Sequence, residues 1–155
     1  MEKTASEILN ESADILSEEG VWVKGRYVGK GLNRRGCTMC AHGAIAYAGN
    51  REIRNDVKET VEMTDGNKAE HLIGEANSKA SQGMYGHALN AYQSETYKYS
   101  DKDARFTQLN SQGWAHYIAI KNGMTIQFND AGTTTKQQVI DKLRACAVVA
   151  QEQGK

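Results

Sequence analysis

Four groups of residues in this chain have types and spacings that chemistry could use. The first is Cys37-Thr38-Met39-Cys40-Ala41-His42. Two thiolates separated by two residues can grip one metal ion, and His42 could add a third ligand. No fourth ligand follows nearby, and nothing marks the orienting group or oxyanion hole that a Cys40/His42 nucleophile pair would need. Buried small thiols beside a half-exposed histidine are therefore the leading reading, and no metal or other cofactor is expected.

The second group is cationic. Residues 20–51 hold Lys24, Arg26, Lys30, Arg34, Arg35 and Arg51, no acid, and seven of the chain's 15 glycines. Since basic and acidic residues number 19 each, this stretch is net +6 against a remainder of net −6. Arginine forms paired hydrogen bonds with phosphate or carboxylate, and glycine lets backbone N–H groups approach an anion closely. The competing reading is a solvated hairpin whose charges pair with the acidic first helix and with Asp56, Glu59 and Glu62. Neither phosphate motif is complete here. Gly29-Lys30-Gly31 lacks the Ser/Thr of a P-loop, and Arg34 stands where a dinucleotide fingerprint needs its third glycine.

The third group is Asn129-Asp130, just before a helix start. These are usual turn formers, with Phe128 plugging the core, but they could also line a ligand cleft. The fourth is aromatic. Tyr97 and Tyr99 fall in the polar stretch Thr96–Phe106, read as a surface loop, and exposed tyrosines favour protein contacts. Trp22, Trp114, Tyr92 and Tyr117 read as core rings with wet edges.

The elements that must position these groups are mainly helical. Thr4-Ala5-Ser6-Glu7 is a capping box, and Ala5, Ile8, Leu9, Ala13 and Leu16 follow at helical steps. That predicts a helix over 5–19, closed by Gly20. Residues 21–28 predict a short strand entering a hairpin loop, with a second strand at Cys37–Met39. A small-residue helix over 40–48 comes next. Helical faces continue over 51–66, 68–80 and 84–95, while 109–120 is ambiguous and Thr125–Phe128 looks extended. A second capping box at Thr135–Gln138 opens a final helix over 136–151, with Val139, Leu143, Cys146, Ala147 and Ala150 buried.

The expected fold is a small single-domain helical bundle over residues 1–155, mainly α, with one short β-hairpin. No apolar run approaches the length of a membrane span. Zero net charge argues against a general nucleic-acid binder. An acidic amphipathic N-terminal stretch is unlike a secretory signal. With an odd count of three cysteines it points to reduced thiols in the cytoplasm.

Three motifs occur in a telling order: Gly20-x-Trp22, Cys40-Ala41-x-Gly43-Ala44, and Phe128-Asn129-Asp130-Ala131. The order resembles a domain family of unknown function common in actinobacterial and bacteriophage genomes, in which the last motif usually begins with Trp. By that resemblance residues 51–83 form a helical insertion. It implies a phage or mobile-element origin and brings no activity with it.

The function expected is that of a non-enzymatic, phage-encoded accessory protein. It would bind and modulate a host protein, such as a defence or regulatory factor, through Lys24, Arg26, Lys30, Arg34, Arg35, Asn129, Asp130, Tyr97 and Tyr99. The alternative is a binder of a nucleotide-like or other anionic small molecule at the same residues. An enzyme using Asp130, His42 or Cys40, and a DNA binder, rank below these. Oligomerisation is compatible with all of them.

Overall fold

The computed structural model describes residues 3–24, 28–50, 54–55, 83–100, 128–129 and 132–155. The expectations for Arg26, Arg51, Asp130, nearly all of the 51–83 insertion, residues 109–120 and Thr125–Gln127 lie outside them. Among the described residues the chain forms four helices and one two-stranded antiparallel hairpin: α1 (Ala5–Ser17), β1 (Val28–Lys30), β2 (Cys37–Met39), α2 (Ala41–Gly49), α3 (Gly83–Ser100) and α4 (Lys136–Glu152). The mainly helical expectation holds. No helix among them is long and apolar enough to cross a membrane.

Both capping boxes form. The Thr4 hydroxyl accepts from the Glu7 N–H while Glu7 accepts from the Thr4 N–H, and Thr135 and Gln138 repeat the arrangement. Helix α1 ends at Ser17, two residues earlier than the sequence predicts, because Glu18 turns to an extended conformation. The Lys136 ammonium then donates to the carbonyls of Ser17 and Glu18, both at 3.2 Å. A cation at a helix C-terminus complements both the dipole and the orphan carbonyls.

Helix α1 lies chiefly against α4 and also touches α2 and α3. Its stripe of Ile8, Leu9, Ala13 and Leu16 is almost wholly buried, as are Val139 and Leu143 of α4. Each large apolar side chain so buried contributes about 1.5–3 kcal/mol. Helix α2 occupies the interior: Ala41 to Ala46 are all buried, and the small Ala41, Gly43, Ala44 and Ala46 let neighbouring helices approach.

Two expectations are corrected. The first strand is not 21–28. Val28–Lys30 forms the hairpin strand, with Val28 opposite Met39 and Lys30 opposite Cys37. The 21–23 segment instead runs along the other side of β2, with Met39 N–H bonded to Val21 O at 2.7 Å and Val23 N–H to Met39 O at 3.0 Å. Both segments pair with β2, one along each side, and the turn at Asn33–Gly36 joins the later one to it as the hairpin partner. Nor do Tyr97 and Tyr99 lie in a loop, since α3 continues to Ser100. Polar residues such as Gln93, Glu95 and Lys98 are good helix formers, and neither Gly nor Pro interrupts the run. The Thr96 hydroxyl also bonds back to Tyr92 O at 2.8 Å within the helix.

Candidate functional site

The cationic glycine-rich stretch folds into the hairpin and its turn, and Asn33 organises that turn. Its Oδ1 accepts from the N–H groups of Arg35 and Gly36, both at 2.9 Å. Its Nδ2 donates to Gly20 O at 2.9 Å and Cys37 O at 2.7 Å. Gly36 takes φ +78° and its N–H also reaches Asn33 O at 3.1 Å. Asparagine first and glycine last is a β-turn signature. Gly31 N–H bonds to Gly36 O at 3.2 Å. The amides of Gly31, Arg35 and Gly36 are thus engaged within the turn and do not converge on an anion.

The two tip arginines behave differently. Arg35 makes a two-point contact with Glu18, Nε to Oε2 at 2.6 Å and Nη2 to Oε1 at 3.0 Å, which raises its pKa further. Its guanidinium also lies 5.7 Å from the centre of the Tyr47 ring. Arg54 stands 5.2 Å from the same ring and reaches Glu11 Oε1 at 3.1 Å. Arg34 is exposed and makes no ion pair or hydrogen bond through its side chain among the described residues. Leu32 projects fully into solvent, at 108% relative exposure. Between this tip and the end of α1 lies an open cleft of about 720 Å³, lined by Glu18, Glu19, Val21, Leu32, Arg34 and Arg35. Two carboxylates face two guanidinium groups there, so the cleft is charge-balanced.

The other expected residues lie elsewhere. Lys24 sits 5.5 Å over the Trp22 ring. Lys30 lies on β1, and Tyr97 and Tyr99 lie in α3. Asn129 is 1% exposed and acts as an internal pin. Its Oδ1 accepts from the Trp22 indole N–H at 2.9 Å and the Ala41 N–H at 3.1 Å, and its Nδ2 donates to Val23 O at 3.1 Å. One side chain thereby fixes the 21–23 segment and the start of α2. A second cleft of about 410 Å³ lies beside Phe128, between Thr133, Thr134 and the α4 residues Gln138, Asp141 and Lys142.

Cys37 and Cys40 are buried as expected, but His42, expected to be half-exposed, is wholly buried because it lies on the interior helix α2. Burial pushes the Cys37 thiol up, with nearby Arg35 pulling it back less strongly. That environment favours the neutral thiol over the thiolate. The Cys40 sulfur caps α2 by accepting from the Gly43 N–H at 3.5 Å. Burial lowers the His42 pKa from 6.5 to about 4, so it stays neutral near pH 7. No group of three or more His, Cys, Asp or Glu side chains among the described residues is placed to hold a metal ion.

Sequence reasoning missed three contributors to the tip: Asn33, Glu19 and Leu32. The Asn-Arg-Arg-Gly spacing signals the turn that Asn33 organises. No local signal marks Leu32 or Glu19, whose role depends on two distant segments meeting. A family model, described as a family of unknown function (DUF6197), matches residues 1–149. No curated protein and no solved structure matches the chain.

Proposed function

The chain belongs to the DUF6197 family of unknown function, and from that premise we propose that it is a non-enzymatic protein-binding module whose contact surface is the tip of its β-hairpin. The observation that carries this reading is Leu32, fully exposed at the rim of the 720 Å³ cleft and followed by the uncommitted Arg34. Arginine is enriched where proteins meet. Asn33 and the Arg35–Glu18 contact hold the tip in place, so little ordering cost falls on binding. The motif order supports a phage or mobile-element setting, in which the partner would be a host protein such as a defence or regulatory factor.

An anionic metabolite is the less favoured ligand. The turn amides are already bonded, Arg35 is engaged by Glu18, and the cleft presents carboxylates beside its guanidinium groups.

Affinity capture from host lysate tests the reading, using wild type, Leu32→Asp, Arg34→Glu and a Val148→Asp control on the exposed side of α4. Wild type and the control should retain a stoichiometric partner that the two tip variants lose, with all four melting alike. Absence of a partner for wild type, or its retention by both tip variants, contradicts the proposal.

A further inference from the structure

The cleft beside the hairpin tip carries both halves of a self-matching contact. A two-fold interface uses the same patch on each subunit, so the patch must offer both members of every pair it forms. Glu19 and Arg34 both line this cleft and both are exposed. Neither side chain makes an ion pair or hydrogen bond among the described residues, so they do not satisfy each other across the opening. Leu32 supplies an apolar projection, and the cleft at its base, with Val21 in the lining, supplies a recess. A positive charge, a negative charge, a knob and a hollow thus share one face.

We infer that this face binds a second copy of the chain. The inference rests on the reading of the hairpin tip as a docking surface and names the occupant. About a two-fold axis, each Leu32 enters the other subunit's cleft and each Arg34 meets the other subunit's Glu19. A uniformly acidic partner would meet Arg34 but oppose Glu18 and Glu19. A uniformly basic one would meet the carboxylates and oppose Arg34. A second copy satisfies both signs at once. The chain's net charge of zero also spares two copies the overall repulsion that a strongly charged protein would carry.

The Arg35–Glu18 contact sorts the four charges. It neutralises one arginine and one glutamate inside each subunit and leaves one of each sign for the partner. The dimer and a heterologous protein would then compete for one surface, so partner binding would release the monomer.

Sedimentation equilibrium of the full chain, from micromolar to millimolar, tests this with wild type, Glu19→Arg, Arg34→Glu, the double charge swap and Leu32→Asp. Wild type should show a concentration-dependent dimer. Each single charge reversal should weaken it by roughly tenfold or more, since like charges then face each other. The double swap should restore it, because the reversed pair is again complementary, and Leu32→Asp should remove it. All four variants change exposed side chains, and their thermal melts report whether they fold. A wild type monomeric throughout the range overturns the inference, as does a double swap no better than the single reversals. If wild type is monomeric yet captures a separate protein that Leu32→Asp loses, the second-copy inference fails while the docking function stands. If both binding events are absent, both fail.

Discussion

Arg35 grips Glu18 through two hydrogen bonds, of 2.6 and 3.0 Å, and so ties the hairpin tip to the end of the first helix. The side chains are 28% and 42% exposed, so solvent screens the pair and its direct contribution is small. Arg35→Ala should lower global stability by less than about 1 kcal/mol. Hydrogen exchange at the Gly31 and Gly36 amides should nevertheless accelerate, because the turn loses its anchor. Unchanged exchange there would show that the pair does not hold the tip.

Asn33 should matter more than its surface position suggests. Asn33→Ala removes four hydrogen bonds to backbone groups and should cost about 2 kcal/mol in urea unfolding. Asn33→Asp keeps the acceptor for Arg35 and Gly36 but loses the donor to Gly20 and Cys37, so it should fall between wild type and the alanine variant.

Asn129 is the corresponding pin inside the protein. Asn129→Ala strands the Trp22 indole N–H, the Ala41 N–H and the Val23 carbonyl, and should destabilise by about 3 kcal/mol. A loss below about 1 kcal/mol in urea titration would mean that water or a rearranged neighbour takes over those groups.

His42 makes stability depend on pH. Its folded pKa of about 4 lies below the ordinary 6.5, because burial disfavours the imidazolium. The unfolded chain therefore takes up a proton that the folded chain refuses. The contribution is fully present above pH 6.5 and is lost as pH falls from 6.5 towards 4, about 3 kcal/mol in all. Unfolding free energies measured across that window should show this slope, and His42→Gln should flatten it. An unchanged slope in the variant would place the titrating group elsewhere.

How far the sequence foretold this depends on distance along the chain. Local signals served well. The Thr4 and Thr135 capping boxes locate α1 and α4, because each involves residues a few positions apart. The hairpin's other strand is not legible locally, since Val21–Val23 and Val28–Lys30 both pair with β2, one on each side, and only the turn joins the later one to it. Pairing of the cationic stretch with the first helix was legible as a class of contact. Which arginine would be held was not, because Arg35 and Arg34 are adjacent and only the path of the turn separates them. Asn129 reads locally as a turn former, yet its partners lie about a hundred positions away and no spacing rule reaches that far.

The most direct test of the hairpin tip as a contact surface is site-specific photocrosslinking in cells that produce the protein. A photoreactive residue replaces Leu32 in one variant and the exposed Asn90 of α3 in another. Discrete crosslinked species are expected from position 32, whether to a second copy or to a separate protein, and none from position 90. No adduct at position 32, or the same diffuse pattern from both sites, would contradict that role for the tip.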